Sequence, residues 1–163
     1  MAEAKKIPQR SEIPVEYTWN TADIYPTPEA WEKDFEKARE LIKILAGYAG
    51  RLGESAGTLY EYLTLSENTV SELASSLLGY ASLKHDEDTR AAENQALVGR
   101  GVSLLTQIQS ATAFDTPELL KITPETLERF YAEKPELELY RRFFTVLQAR
   151  KEHTLSDAEE KLL

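Results

Sequence analysis

Cysteine is absent from the chain, and histidine occurs only twice in its 163 residues. Without thiols the chain forms neither disulfide bridges nor thiolate zinc sites, and it has no cysteine nucleophile. Long apolar runs are missing as well, since no stretch approaches the roughly 20 apolar residues that a transmembrane helix needs. The N-terminal lysines are not followed by the apolar segment of a secretory signal, so we expect a cytoplasmic protein.

Basic residues are outnumbered by acidic ones, 19 against 28, which gives a net charge of −9. Binding to nucleic acid or to anionic lipid depends on clustered lysine and arginine, so neither is expected as a partner. The apolar content of 42% is typical of a folded protein rather than a disordered one. At this length we expect one domain with a substantial core.

What the sequence does contain is helical periodicity around residues 80–89. Apolar residues precede this stretch at three- and four-residue steps, which predicts one face of a helix: Val70, Leu73, Ala74, Leu77, Leu78 and Ala81. A second, wider face follows it: Leu97, Gly101, Leu104, Ile108 and Ala111, with Val98, Val102 and Leu105 beside them. The two faces predict an antiparallel helical hairpin, with Asp88 as the N-cap of its second helix. Gly101, on the stripe, indicates a close helix approach or a local kink.

Three further helices are predicted by a repeated start signal, Thr-Pro-Glu, at Thr27, Thr116 and Thr123. Threonine caps a free N–H, proline fits the first helical position, and glutamate complements the helix dipole. Pro135 is expected to open another helix, with Leu137, Tyr140, Phe143, Phe144 and Leu147 facing inward. The first long helix should span residues 28–49. No strand is predicted, so the fold class is all-α, an antiparallel bundle of about six to eight helices.

The domain boundaries follow from the two ends of this pattern. Residues 1–16 contain two prolines and mixed charges and are expected to form an extended arm. Trp19, Ile24 and Tyr25 should anchor the arm to a helical lobe of residues 17–154, and Asn20 with Asp23 predicts a short capped turn. Residues 155–163 begin another helix with a capping box, which predicts a chain that continues beyond Leu163.

A search for catalytic chemistry finds no complete motif. His85 and His153 lie neither in His-Glu-x-x-His nor in Glu-x-x-His, because positions 82 and 150 are serine and arginine. A phosphate-binding glycine loop and a Gly-x-Ser-x-Gly elbow are also missing. His85 with residues 86–88 is either a weak cation site or, as we favour, a histidine at a helix terminus. No catalytic or metal residue is therefore assigned, and the substrate-binding residues stay unknown.

Three stretches together resemble one family. The first is Arg10-Ser-Glu-Ile-Pro14 with Thr18-Trp19, Asp23-Ile-Tyr25 and Trp31. The second is Tyr80-Ala-Ser-Leu with Asp86-Glu-Asp-Thr89. The third is Phe114-Asp-Thr-Pro-Glu-Leu119 with Ala149-Arg-Lys-Glu-His-Thr-Leu-Ser156, Glu159, Glu160, Leu162 and Leu163. Their order and spacing resemble the oligoendopeptidase F group of thimet-oligopeptidase-like zinc metallopeptidases.

The resemblance implies the helical N-terminal lobe of a two-lobed peptidase that hydrolyses short peptides. In that family a larger C-terminal lobe carries the His-Glu-x-x-His helix and the zinc, and the two lobes enclose a peptide channel. No position here matches those motifs, so the chain is expected to form a channel wall or lid and to be inactive alone. Its partners would be the C-terminal lobe of the same protein and an oligopeptide, and exposed apolar faces could allow dimerisation.

Two other functions remain open from the sequence. The chain could be a non-catalytic helical interaction module that binds a partner through its wide apolar faces. It could also be a carboxylate-bridged metal bundle, although the missing Glu-x-x-His pairs disfavour that.

Overall fold

The computed structural model describes residues 8–149, without the side chains of Val70 and Ser71. Within these residues the regular structure is helical and contains no strand. The seven α-helices in this range are α1 (Pro28–Ala46), α2 (Ala56–Glu67), α3 (Ser75–Glu87), α4 (Ala92–Ala111), α5 (Asp115–Lys121), α6 (Pro124–Glu133) and α7 (Arg141–Ala149). A π-helix, Asn68–Ala74, joins α2 to α3, and a 3-10 helix, Pro135–Tyr140, leads into α7. The predicted all-α class and helix number are confirmed.

Two of the three Thr-Pro-Glu signals start helices as predicted. The Thr27 hydroxyl accepts the N–H of Ala30, and the Thr123 hydroxyl accepts that of Thr126, each at 3.2 Å. The third prediction is wrong in its position, because α5 begins at Asp115. The residue before it, Phe114, already has right-handed helical backbone angles. Thr116 instead donates its hydroxyl to the Asp115 carboxylate at 3.1 Å.

The connection between α3 and α4 also differs from the prediction. Asp88 is not the N-cap of α4; it ends α3 in extended geometry, φ −152° and ψ 100°. Its carboxylate accepts the Arg90 backbone N–H at 3.0 Å, and the side chain of Asn94 donates to the Lys84 carbonyl at 2.7 Å. Local turn chemistry therefore places the start of α4 at Ala92, three residues after the first helical position that an N-cap at Asp88 would give.

The described chain divides into two compact units. Unit 1 contains the described residues up to Lys43 together with Glu67–Ser110. Its core includes Trp31, which is 1% exposed and donates its indole N–H to the Leu77 carbonyl at 3.0 Å. Gly101 confirms the predicted close approach, since a Cβ there would lie 3.0 Å from Leu78 Cδ1.

Unit 2 contains Ile44–Ser66 together with the described residues from Ala111 on. One apolar cluster fills it, and its fully buried large side chains are Leu45, Leu52, Leu59, Tyr62, Phe130, Leu137 and Phe144. The Tyr62 ring lies 5.7 Å from that of Phe114, and its hydroxyl donates to Asp115 at 3.2 Å. Burial and this carboxylate raise the pKa of Tyr62.

Several side chains expected inside are exposed instead. Tyr25 is buried and packs edge-to-face on Tyr80, with ring centroids 5.5 Å apart, so it fulfils the predicted anchoring role. Trp19 and Ile24 do not, because both are exposed. Phe143 is 45% exposed, which contradicts its predicted inward position. The predicted helix over residues 155–163 lies outside the described residues.

Candidate functional site

The strongest candidate site lies in unit 1, where the N-terminal arm meets the C-terminal end of α3. Residues 10–23, which include part of the predicted arm and the start of the predicted lobe, form three 3-10 turns rather than an extended segment: Arg10–Glu12, Val15–Tyr17 and Thr21–Asp23. In the last turn Asn20 donates to the Asp23 carboxylate at 2.8 Å but makes no side-chain capping hydrogen bond, so the predicted turn forms without its predicted cap. This folding places polar and aromatic side chains of the arm against α3.

An ion-pair triad centred on Glu87 holds the arm to α3. Arg10 Nη2 lies 3.3 Å from one Glu87 carboxylate oxygen, and Lys84 Nζ lies 2.8 Å from the other. The Glu87 side chain is only 13% exposed. Burial opposes its ionisation, but hydrogen bonds and charge from Lys84 and Arg10 outweigh that cost and lower the pKa of Glu87.

A second link lies one turn beyond this triad. Arg90 Nη2 donates to the Gln9 side-chain oxygen at 2.8 Å, and Gln9 N–H in turn donates to Glu12 at 2.6 Å. Arg90 also pairs with Asp88, and that pairing lowers the pKa of the Asp88 carboxyl group. The arm is therefore held by side chains more than seventy residues away in sequence.

Two open cavities border this junction, with volumes of about 250 and 630 Å³. Both are lined by Arg10, Thr18, Trp19 and Glu87. Arg10 and Lys84 share the Glu87 carboxylate as an ion-pair partner, whereas Trp19 is 52% exposed. An aromatic surface beside paired charges can hold a polar, extended ligand by stacking and hydrogen bonding. Among the described residues that line these two cavities, no side chains form a pair of nucleophile and base.

His85 lies in the last turn of α3, as the helix-terminus interpretation predicts. Its Nδ1 is 3.5 Å from the Asp86 carboxylate, a distance that allows an ion pair when the imidazole is protonated. Within residues 8–149, no three His, Cys, Asp or Glu side chains come together in a group that could hold a metal ion. The weak cation site at residues 86–88 therefore gains no support, and His153 lies outside the described residues.

A carboxylate that the sequence analysis treated as a helix-start residue has a different role in unit 2. The Glu118 carboxylate accepts a close hydrogen bond from Gly50 N–H and another from Leu52 N–H at 3.3 Å. Gly50 has φ +82°, a conformation that glycine adopts without steric cost. Gly50 and Glu118 border a cavity of about 460 Å³. Only the glycines at positions 47, 50 and 53 signalled this turn in the sequence, and nothing there indicated its partner.

A fourth cavity, also of about 460 Å³, lies beside the π-helix of unit 1. Tyr25 borders it and donates its hydroxyl to Asp34 at 3.2 Å. Burial, together with the Asp34 charge, raises the pKa of Tyr25 to about 12, so this phenol stays protonated at neutral pH. The remaining polar lining includes Lys37, Asn68 and Glu72.

None of the helices in the described part of the chain is both long and apolar enough to cross a bilayer. This finding concerns residues 8–149 alone.

Comparison with known proteins gives consistent matches. A family model described as Oligopeptidase F matches residues 118–163. Oligopeptidase PepF of Bacillus subtilis (strain 168) is 42% identical over 166 aligned positions, which cover 100% of this chain and 25% of that protein. The chain thus spans about a quarter of the length of the curated relatives it matches.

Two crystal structures share the fold. That of oligoendopeptidase-F from Enterococcus faecium matches with a TM-score of 0.70 and 25% identity, covering 84% of this chain and 27% of the other. That of a Chlamydophila abortus protein matches with a TM-score of 0.81 and 23% identity, covering 96% and 26%. The second shows the fold alone. The matched region is the N-terminal part of the oligoendopeptidase F structures, and the resemblance inferred from three sequence stretches is confirmed.

Proposed function

Because the chain is homologous over its full length to the N-terminal part of the oligopeptidase F family, we propose that it forms the helical N-terminal lobe of a zinc-dependent oligoendopeptidase. The observation that carries this proposal is the 42% identity to Oligopeptidase PepF across the whole chain. The substrate class is short peptides, and the location is the cytoplasm expected from the sequence.

Within that enzyme we assign the chain to a wall or lid of the peptide channel. Residues 8–149 offer no group of ligands for a metal ion, so they do not fit zinc, and we assign zinc and the catalytic base to the remainder of the protein. That remainder is the expected partner of this lobe. The proposed domain division keeps residues 1–16 as an arm, 17–154 as the lobe and 155–163 as the start of a further helix.

A second candidate function is a helical interaction module. The observation that favours it is the set of exposed large apolar side chains: Val15, Tyr17, Trp19, Ile24, Ile44, Val102, Leu139, Phe143 and Val146. Such side chains fit either a lobe that packs on the rest of an enzyme or a surface that binds a partner or a second copy.

Hydrolysis of a quenched fluorescent peptide by two proteins tests the proposal. The first is the isolated 18.5 kDa chain, and the second is the product of the native gene. We expect no hydrolysis by the chain alone. The native product should be several times heavier and should cleave the peptide, should lose activity on chelation, and should regain it with zinc.

A folded protein substrate is the control, because a channel that admits only short peptides leaves it intact. Chelator-sensitive cleavage by the isolated chain would overturn the assignment of the active site to another region. A native product of the same mass as the chain, without peptidase activity, would instead favour the interaction module.

A further inference from the structure

Residues 56–87 are helical throughout, but the hydrogen-bond spacing of the helix changes in the middle of this range. α2 ends at Glu67, the π-helix covers Asn68–Ala74, and α3 starts at Ser75. The residues at both junctions, Glu67 and Ser75, have right-handed helical geometry. A π-helix bonds residue i to i+5, so a short one inside an α-helix amounts to one inserted residue. Such insertions are rare and concentrate at functional sites.

The inserted turn buries a polar side chain without a partner. Thr69 is 0% exposed, and it is the only polar or charged residue among the described ones that is fully buried. Its hydroxyl Oγ1 has no hydrogen-bond partner within the part of the chain that the structure describes. A buried hydroxyl that has lost its hydrogen bond to water and gained none from the protein disfavours the state that buries it.

The spacing of buried residues shows how the register produces this result. Thr69 and Ala74 are buried five residues apart, which is the π spacing, whereas Ala74, Leu77 and Ala81 follow α spacing. Counting back four residues from Ala74 in an α register gives position 70, a valine. An α register would therefore replace a threonine by a valine on the buried stripe, which agrees with the apolar pattern of the sequence.

The same segment forms one wall of a cavity. Asn68, Glu72 and Leu73 line the cavity of about 460 Å³ together with Tyr25 and Asp34. Leu73 is half-buried there, although its place in the apolar pattern predicts a core position. Any change of register moves these three side chains together, because they belong to adjacent turns of one helix.

We propose that Asn68–Ala74 is a register switch that alternates between the observed π-helix and an α-helix. In the α state the backbone of position 70, four residues before Ala74, takes the place of position 69 on the stripe that contains Ala74 and Leu77, and the extra residue moves toward the start of the segment. The switch changes the wall of the cavity that Tyr25 and Asp34 border. The π-helix, Thr69 and the cavity, which carry this inference, lie in unit 1, and the inference is independent of the proposed peptidase role.

The first test is deletion of Thr69 in the 163-residue chain. Removing one residue eliminates the insertion and leaves a continuous α-helix with valine on the buried stripe. We expect unchanged helix content by circular dichroism and a higher melting temperature. Deletion of Ser76, an exposed residue of α3, is the control and should lower the melting temperature, because it shifts an α register that is already regular. Equal losses in the two deletions would overturn the proposal.

The second test measures the alternation itself and does not depend on a deletion. Backbone amide relaxation dispersion should show millisecond exchange for residues 68–74 in the unaltered chain and none for residues 77–85. Thr69→Val removes the unpartnered hydroxyl from the π state, so we expect it to reduce the exchange contribution. Thr106→Val, at an exposed threonine of α4, should leave it unchanged. Absence of exchange in residues 68–74 would overturn the switch, and so would equal effects of the two valine variants.

Discussion

Gly101 and Gly99 both lie inside α4 but differ in their surroundings. A Cβ at position 101 would lie 3.0 Å from Leu78 Cδ1 and 3.5 Å from Leu78 Cα, whereas nothing lies within 4 Å of one at position 99. Replacing glycine by alanine inside a helix stabilises it by about 1 kcal/mol when space allows. We expect Gly99→Ala to show this gain, and Gly101→Ala to be destabilised by about 1 kcal/mol through overpacking.

Urea denaturation of the two variants measures the difference, and Gly99→Ala serves as the matched control for Gly101→Ala. An equal gain in both would mean that Leu78 moves freely and that α3 and α4 are not closely packed at this point.

Glu118 is a second position where a single residue determines the local structure. Its two carboxylate oxygens accept the N–H groups of Gly50 and Leu52. Glutamine offers one acceptor oxygen and turns an NH₂ group toward the other N–H, so Glu118→Gln should cost about 1–2 kcal/mol of unfolding free energy. Glu133→Gln, which removes only an exposed ion pair to Arg129 at 3.7 Å, should cost less than 1 kcal/mol. Chemical denaturation compares the two.

At the scale of single helices, the threonine caps give a direct comparison within one sequence motif. Thr123 accepts the Thr126 N–H at the start of α6, whereas Thr116 makes no such bond in α5. Thr123→Ala should therefore lower the free energy of unfolding by about 1 kcal/mol, and Thr116→Ala by only a few tenths. Thermal unfolding distinguishes them, and equal losses would show that the motif caps both helices.

Helices were predictable where local chemistry determines them, and less so where distant contacts intervene. Thr27-Pro-Glu and Thr123-Pro-Glu start helices as their composition predicts. The same motif at Thr116 fails because Phe114 packs on Tyr62 and Asp115 accepts the Tyr62 hydroxyl, which extends the helix toward the N-terminus. The π-helix was not predictable, because the apolar residues around it follow α spacing.

The candidate site was less predictable than the fold for the same reason. Arg10 and Glu87 are 77 residues apart, and no periodicity in the sequence connects the arm with α3. The family resemblance included both segments, but it implied only their shared membership of one lobe. Similarly, glycines in the sequence indicated a turn near position 50. The sequence identified Glu118 only as a helix-start residue and did not indicate that its carboxylate accepts the Gly50 N–H.

At the scale of the whole molecule, ion pairs of both units make stability depend on pH. Hydrogen bonds from Arg100 lower the pKa of Glu32 in unit 1, and those from Arg141 lower the pKa of Glu128 in unit 2. The pKa of Glu87 is lowered as well, against its burial, by Lys84 and Arg10. A carboxyl group whose folded pKa lies below its unfolded value contributes stability above the unfolded pKa, and that contribution is lost as pH falls through the folded pKa.

The melting temperature of the chain should therefore fall as pH decreases from about 4.5, the ordinary glutamate value. Glu87→Gln is expected to be less stable than the unaltered chain at pH 7, and the difference should be smaller at pH 3, because protonation of Glu87 increases as pH falls toward its lowered pKa. The loss at pH 7 arises because Arg10 and Lys84 then lack their shared, mostly buried partner. Glu16→Gln, at an exposed arm residue, should match the unaltered chain at both values. A stability difference for Glu87→Gln that stays constant between pH 7 and pH 3 would show that Glu87 acts through packing rather than charge, and the arm would then be held by the contacts of Tyr25 instead.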